Sequence, residues 1–131
     1  MPAVLLVEDE AELAELIADA LGAEGLQVQV ATSDKAAYEA LDAAAAGFTA
    51  LVTDINLGVG VTGFDIARRA RQLNSALQVV YITGFAAQID RFGVQDGVMF
   101  PKPFNPSELA LRVKSLVQPA AEPLSGTDPA A

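Results

Sequence analysis

The chain contains no cysteine and no histidine among its 131 residues. Without cysteine it can form no disulfide, no thiolate nucleophile and no cysteine-based zinc site. Without histidine it has no catalytic histidine, no histidine metal ligand and no phosphohistidine of its own. Any metal that this chain binds must therefore be held by oxygen atoms, which favours Mg²⁺, Mn²⁺ or Ca²⁺.

Long apolar runs are also missing, although 52% of the residues are hydrophobic. No run reaches the roughly 18 to 20 residues that a membrane span needs, and the N-terminus does not read as a basic, apolar, cleavable leader. We therefore expect a cytoplasmic protein that has no membrane partner. The length fits one domain with a substantial core.

Positive charge is scarce in the first half of the chain. The net charge is −9, and residues 1–67 hold 12 of the 17 acidic residues but a single basic one, Lys35. A chain this acidic is not expected to bind nucleic acid through bulk electrostatics. Two interpretations of the asymmetry stay open. The acidic residues form a solvated face on the first helices, or they frame a cation site while the basic half docks an acidic partner.

Short apolar runs alternate with helical patterns along the chain. The strand candidates are Ala3–Val7, Gln27–Ala31, Ala50–Thr53, Leu77–Thr83 and Val98–Phe100. The helix candidates are Ala11–Ala23, Ser33–Ala46, Phe64–Leu73, Ala86–Phe92 and Pro106 to about Val117. Ser33 or Asp34, and Asn105, are candidate N-caps. Strands that alternate with crossover helices predict an α/β protein, with a doubly wound, five-stranded parallel sheet and five helices.

The same pattern predicts one folded domain over residues 1–118. Residues 119–131 are rich in proline and small residues, so they cannot bury a core and are expected to form a disordered tail. Pro101 ends the fifth apolar run and cannot donate a hydrogen bond to a strand ladder. This places the fifth strand at an edge of the sheet.

Polar side chains stand where four of the five apolar runs end. Glu8 and Asp9 follow the first run, Asp54 the third and Lys102 the fifth, and Thr83 ends the fourth. Ligands bind outside the carboxyl ends of parallel strands, so we expect these groups to share one edge of the sheet. Two carboxylates 4 Å apart repel by about 4 kcal/mol at a typical effective dielectric, which a cation such as Mg²⁺ would offset. Each residue alone fits a turn, a cap or a solvated lysine, but together they predict a cation site that accepts a phosphoryl group.

Residues 3–117 resemble the receiver domain of bacterial two-component response regulators. The segments LLVEDE, LVTDINL, YITG and PKPF carry the resemblance, in that order. It implies a flavodoxin-like sheet of strand order 2-1-3-4-5. It also implies a phosphorylation-controlled signalling switch that takes a phosphoryl group from a histidine kinase and then changes its partner binding.

The resemblance further assigns roles to the acidic residues. It implies that Asp54 is the phosphoacceptor. It implies Mg²⁺, with Mn²⁺ as an alternative, held by Asp9 directly, by Glu8 mainly through water, by Asp54 and by the backbone carbonyl of Asn56.

Other positions acquire roles in the same way, and two of them depart from the family pattern. Thr83 would be the switch hydroxyl, Lys102 the phosphate-pairing lysine, and the bond before Pro103 a cis peptide. Met99 stands where the family usually has an aromatic residue, so rotation of an aromatic side chain is not expected. Phe85 is placed where it could cover the phosphate. Plain packing is an equally open interpretation of Met99 and Phe85.

The implied partners are a histidine kinase or a histidine phosphotransfer protein, and a downstream protein bound at the face of the fourth helix, fifth strand and fifth helix. The protein would be a monomer or a phosphorylation-dependent dimer, and no enzyme beyond its own phosphorylation and dephosphorylation. A phosphorelay shuttle and a receiver fragment of a larger hybrid kinase or regulator stay open as alternatives. A phosphatase of the haloacid dehalogenase type usually needs a second aspartate two residues after the first, where this chain has Asn56. A degenerate receiver is disfavoured because all five site residues are present.

Overall fold

The chain folds into alternating strands and helices. The computed structural model describes residues 3–55, 63–83, 98–101 and 103–117. The strands are β1 (Ala3–Val7), β2 (Gln27–Ala31), β3 (Ala50–Asp54), β4 (Gln78–Thr83) and β5 (Val98–Pro101). The helices are α1 (Ala11–Ala23), α2 (Asp34–Ala44), α3 (Gly63–Leu73) and α4 (Pro106–Val117), with a 3₁₀ turn at Ala45–Gly47. The predicted helix over 86–92 and the predicted disordered tail over 119–131 lie outside the described residues.

All five strands are parallel and follow the order β2-β1-β3-β4-β5. β1 and β3 are neighbours at the centre, with Val4 beside Ala50 and Val7 beside Thr53. The predicted flavodoxin-like order is therefore confirmed. β5 occupies an edge of the sheet, as Pro101 predicts.

Side chains of the strands alternate between two apolar clusters, one on each face of the sheet. The cluster beneath α2 and α3 includes Leu5, Val7, Leu41, Leu51, Ile66, Val79 and Tyr81. The cluster beneath α1 and α4 includes Val4, Leu6, Ile17, Leu21, Val52, Val80, Ile82, Leu109 and Val113. Burial on both faces explains why β3 and β4 are nearly continuous apolar runs. Each fully buried Leu, Ile or Val contributes about 1.5–3 kcal/mol to stability.

The helix ends follow local signals in the sequence. The hydroxyl of Ser33 accepts a hydrogen bond from the N–H of Ala36 at 3.1 Å, before α2. The side-chain oxygen of Asn105 accepts one from the N–H of Ser107 at 2.8 Å, before α4. α1 is followed by Gly25 at φ 86°, a left-handed conformation that favours glycine. None of the helices in the described part of the chain is long and apolar enough to cross a membrane.

Six boundaries differ from the sequence prediction by one or two residues: both ends of α2, the ends of β3 and β5, and the starts of α3 and β4. Local geometry explains two of them. α2 ends at Ala44, two residues before the predicted end, because the chain tightens there into the 3₁₀ turn. Leu77, predicted as the first residue of the fourth strand, closes a turn instead, and its N–H donates to the carbonyl of Asn74 at 3.2 Å. The side-chain amide of Asn74 donates to the carbonyl of Phe48 at 3.0 Å and holds this turn against the end of the 3₁₀ segment.

Candidate functional site

Three carboxylates from two adjacent strands lie together at the carboxyl end of the sheet. Glu8 and Asp9 directly follow β1, and Asp54 is the last residue of β3. One carboxylate oxygen from each residue lies within 4.8 Å of the others. The register explains this proximity, because Val7 lies beside Thr53 and the chain continues from both at the same level. The structure thus brings together the three acidic residues that the sequence places at strand ends.

The three carboxylates differ in exposure. Glu8 is fully buried and Asp54 is 4% exposed, whereas Asp9 is exposed. The carboxylate of Glu8 accepts a hydrogen bond from the N–H of Glu10 at 3.1 Å. The N–H of Glu8 donates to the carbonyl of Ala31 at 3.0 Å. These bonds fix Glu8 where the chain leaves β1 and turns into α1.

The grouping of these carboxylates favours a bound cation. Removing carboxylates from water raises their free energy, and so does placing them within 4.8 Å of one another. A hard divalent cation offsets both effects, and carboxylate oxygens are the ligands that Mg²⁺ and Mn²⁺ prefer. The exposed Asp9 leaves one side of the cluster open to solvent, so that water could reach a cation held there. The residues present therefore fit Mg²⁺.

The backbone around Asp54 makes three further hydrogen bonds. The N–H of Ile55 donates to the carbonyl of Ile82 at 3.0 Å, which extends the β3–β4 ladder past Asp54. The hydroxyl of Thr53 donates to the carbonyl of Asp54 at 3.0 Å. The N–H of Gly63, the first residue of α3, donates to the carbonyl of Ile55 at 2.8 Å. The phosphoacceptor candidate is thus tied to both β4 and α3.

The sequence pattern does not predict that Thr53 and Gly63 belong to the site. Thr53 reads as one more residue of a buried strand, and Gly63 as the end of a glycine-containing loop. The available signal is the hydroxyl of Thr53, because a buried hydroxyl in an apolar run must find a hydrogen-bond acceptor. Gly63 has no polar group to mark it, and its only signal in the sequence is its place at the end of the loop after Asp54. Its importance depends on where α3 meets β3.

The other predicted site residues fall partly within the described residues. Thr83 ends β4, one residue after Ile82, which pairs with Asp54. The backbone of Thr83 therefore lies at the same end of the sheet as the carboxylates. Pro103 is exposed and lies just beyond β5. Asn56, Phe85 and Lys102 lie outside the described residues, and so does the predicted cis bond between Lys102 and Pro103.

Met99 has a defined place in β5. It pairs in register with Tyr81 of β4, and its partly buried side chain packs against the apolar cluster beneath α2 and α3. The ring of Tyr81 in turn contacts that of Phe64, with centroids 4.9 Å apart and planes inclined by 51°. These contacts are of the kind that the packing interpretation of Met99 predicts.

Comparison with known proteins identifies the family. The family model of the response regulator receiver domain matches residues 4–114. The response regulator receiver protein CpdR of Brucella abortus is 30% identical over 120 residues, which cover 89% of this chain and 98% of CpdR. The transcriptional regulatory protein TcrA of Mycobacterium tuberculosis is 34% identical over 116 residues, which cover 86% of this chain but only 45% of TcrA. The chain thus spans about half the length of TcrA.

A solved structure agrees with this assignment. The response regulator receiver protein from Sinorhizobium medicae WSM419 superposes with a TM-score of 0.80 at 31% identity, covering 88% of this chain and 94% of that one. This chain therefore belongs to the response regulator receiver family of two-component systems. Phosphorylation and Mg²⁺ binding are typical of the family, and the resemblance predicted from the sequence is confirmed.

Proposed function

We propose that this protein is a phosphorylation-controlled signalling switch of the cytoplasm and that Asp54 is its phosphoacceptor. The observation that carries the proposal is the position of the Asp54 carboxylate at the carboxyl end of the sheet, within 4.8 Å of Glu8 and Asp9. A cation held by this cluster would lie next to any phosphoryl group that reaches Asp54. The nucleophilic carboxylate and the cation that would neutralise the phosphoryl charge would therefore be adjacent, as phosphoryl transfer requires.

The proposed donor is a phosphohistidine on a histidine kinase or a histidine phosphotransfer protein. A carboxylate oxygen of Asp54 attacks the phosphorus while the P–N bond to the donor imidazole breaks, and the electron pair of that bond leaves with the imidazole. The product is an acyl phosphate on Asp54. This reaction depends on positioning and charge more than on a protein acid or base, which suits a site without histidine.

The proposed metal ligands are the carboxylates of Glu8, Asp9 and Asp54 and the backbone carbonyl of Asn56. The protein would hold Mg²⁺, or Mn²⁺ in its place, with Glu8 acting mainly through water. Once bound, the cation supplies positive charge beside the non-bridging phosphoryl oxygens. Because Asp9 is exposed, we expect the donor protein to approach from its side of the cluster.

Residues beyond the carboxylate cluster complete the proposed switch. Lys102 pairs with the phosphate as a second positive charge, and the hydroxyl of Thr83 hydrogen-bonds the acyl phosphate. Phe85 covers the acyl phosphate and slows attack by water. Phosphorylation, through these contacts, alters the partner-binding surface. That surface is formed by residues 86–92, β5 and α4. The protein acts on no other substrate and catalyses only its own phosphorylation and dephosphorylation.

Labelling with acetyl phosphate that carries a radioactive phosphorus atom, in the presence of Mg²⁺, tests the proposal. The wild-type protein is expected to acquire label that hydroxylamine removes, as it removes an acyl phosphate. Asp54→Asn is expected to remain unlabelled, whereas Asp19→Asn, which changes an exposed aspartate of α1, is expected to label like the wild type. Label on Asp54→Asn equal to that on the wild type would contradict the proposal.

A further inference from the structure

We infer that Thr53 and Gly63 are positioning residues for phosphoryl transfer. Together they fix the peptide unit that follows Asp54, and through it the carboxylate of Asp54. The inference rests on the proposed role of Asp54 as phosphoacceptor. Neither residue belongs to the carboxylate cluster of Glu8, Asp9 and Asp54.

The first part of the inference concerns the direction of the Asp54 carbonyl. The N–H of Ile55 donates to Ile82 on β4. A trans peptide unit points its carbonyl opposite to its N–H, so the carbonyl of Asp54 faces away from β4. The β1–β3 pairing ends at Val7 and Thr53, which leaves this carbonyl beyond that ladder. The hydroxyl of Thr53, itself fully buried, donates to it at 3.0 Å and holds it in this direction.

The second part concerns the space beside the same carbonyl. A Cβ atom added at Gly63 would lie against the carbonyl oxygen of Asp54, well inside van der Waals contact. It would also lie 3.0 Å from the carbonyl carbon of Asp54 and 3.0 Å from the hydroxyl oxygen of Thr53. Backbone atoms cannot move aside as the end of a long side chain can. Any larger residue at position 63 must therefore displace the Asp54–Ile55 peptide or the start of α3.

The position of the Asp54 carboxylate depends on the backbone that carries it. Rotation of the Asp54–Ile55 peptide moves the end of β3 and changes the position of the Asp54 carboxylate relative to Glu8 and Asp9. Phosphoryl transfer requires the attacking oxygen in line with the bond from phosphorus to the leaving group, which is the P–N bond of a phosphohistidine or the P–O bond of acetyl phosphate. A displacement of about 1 Å in such an alignment can slow a reaction by about a hundredfold. The hydroxyl of Thr53 holds the peptide in place, and the missing side chain of Gly63 leaves it undisturbed.

Three variants and two matched controls test the inference. Thr53→Val keeps the shape of the side chain but removes the donor, Thr53→Ser retains the donor, and Gly63→Ala adds the Cβ atom. Thr49→Val is the control for the threonine, because the hydroxyl of Thr49 donates to the carbonyl of Ala3 at 3.1 Å, beside the opposite end of β3. Gly22→Ala is the control for the glycine, because a Cβ atom there meets nothing within 4 Å.

The measurements are the rate of label transfer from acetyl phosphate, the Mg²⁺ dissociation constant from amide chemical shifts, and the melting temperature. Thr53→Val is expected to accept label about tenfold more slowly than the wild type, and Gly63→Ala about a hundredfold more slowly. Thr53→Val is also expected to weaken Mg²⁺ binding, since the carboxylates no longer converge as well. Thr53→Ser is expected to keep the rate of label transfer and the Mg²⁺ dissociation constant near their wild-type values. The two controls are expected to leave both values unchanged.

The outcomes separate this inference from the proposed function. Wild-type rates and Mg²⁺ affinities in folded Thr53→Val and Gly63→Ala would overturn the inference alone. The same conclusion would follow if Thr49→Val slowed transfer as much as Thr53→Val, because strand stability would then explain both. If Gly63→Ala does not fold, the comparison of Thr53→Val with Thr53→Ser decides the matter. If the wild type accepts no label, the proposed function fails, and the inference fails with it.

Discussion

Tyr81 of β4 and Met99 of β5 lie opposite each other in the ladder that joins the last two strands. Met99 packs against the cluster that contains Tyr81, and the ring of Tyr81 contacts Phe64 at 4.9 Å. Phe64 directly follows Gly63, which borders the carbonyl of Asp54. Packing at the edge of the sheet thus extends across one face to the residue beside Asp54.

Substitutions at Met99 test whether this residue acts through packing. Met99→Leu conserves volume and is expected to cost less than about 1.5 kcal/mol of unfolding free energy. Met99→Ala removes most of the side chain and is expected to cost about 2 kcal/mol, the low end for a core truncation, because the site is only partly buried. Urea denaturation measures both values. Leu111→Ala, at a leucine that is 55% exposed, is the control and should cost much less. Equal stability of Met99→Ala and the wild type would show that Met99 does not contribute through packing.

Mg²⁺ is expected to raise the melting temperature of the wild-type protein. A ligand that binds only the folded state at a hundredfold excess over its dissociation constant stabilises it by about 2.7 kcal/mol. Asp9→Asn should remove most of this effect, because it removes a carboxylate from the cluster, whereas Asp19→Asn should retain it. Thermal unfolding with Mg²⁺ and with a chelator provides the measurement. A melting temperature that Mg²⁺ leaves unchanged in the wild type would contradict the metal assignment.

In the presence of a chelator, Asp54→Asn is expected to be more stable than the wild type. Asparagine has nearly the same shape as aspartate but removes one of three negative charges grouped within 4.8 Å. The expected gain is about 1 kcal/mol or more, given the repulsion between charges at such distances. Adding Mg²⁺ should reduce or reverse the difference, because only the wild type keeps all three ligands. Urea denaturation with and without Mg²⁺ checks this, and a lower stability of Asp54→Asn in chelator would disprove it.

The convergence of Glu8, Asp9 and Asp54 could be predicted from the sequence because it depends on topology alone. Parallel strands end at one edge, so residues that follow them must meet there. The bonds around the backbone of Asp54 could not be predicted in the same way. A buried hydroxyl in an apolar strand requires a hydrogen-bond acceptor. The sequence around Thr53 does not reveal that this acceptor is the carbonyl of Asp54. The need for glycine at position 63 depends on how closely α3 approaches β3, which is a matter of tertiary packing.

Turn geometry explains the boundary that was wrong in the fourth strand. Leu77 is apolar and adjoins the run that forms β4, so the apolar pattern predicts that it is part of the strand. The side chain of Asn74 instead accepts a hydrogen bond from the N–H of Ala76 at 3.1 Å, and the chain turns until Gln78. Asparagine is a common turn residue because its side chain bonds the backbone two residues on. A local side-chain bond thus overrides the apolar periodicity at this one position.

The surroundings of Tyr38, on α2, favour the protonated form of its hydroxyl and raise its pKa. Burial raises the pKa of its hydroxyl above the ordinary value of 10.0, and the carboxylates of Asp65 and Asp34 raise it further. The guanidinium groups of Arg68 and Arg69 oppose this rise without cancelling it. The neutral phenol is therefore favoured in the folded protein relative to the unfolded chain.

Stability at alkaline pH should depend on Tyr38. A group whose pKa is raised by folding contributes stability that is fully present below its unfolded pKa, about 10 for tyrosine. That contribution is lost as the pH rises through the folded pKa, because the unfolded chain loses its proton first. Tyr38→Phe should therefore lose less unfolding free energy than the wild type over the same alkaline range.

Urea denaturation at a series of pH values measures this loss, and the ultraviolet absorbance of tyrosinate follows the titration itself. Since the chain has two tyrosines, the difference between wild type and Tyr38→Phe isolates the signal of Tyr38. An identical loss of stability in both proteins would show that Tyr38 titrates alike in the folded and unfolded states.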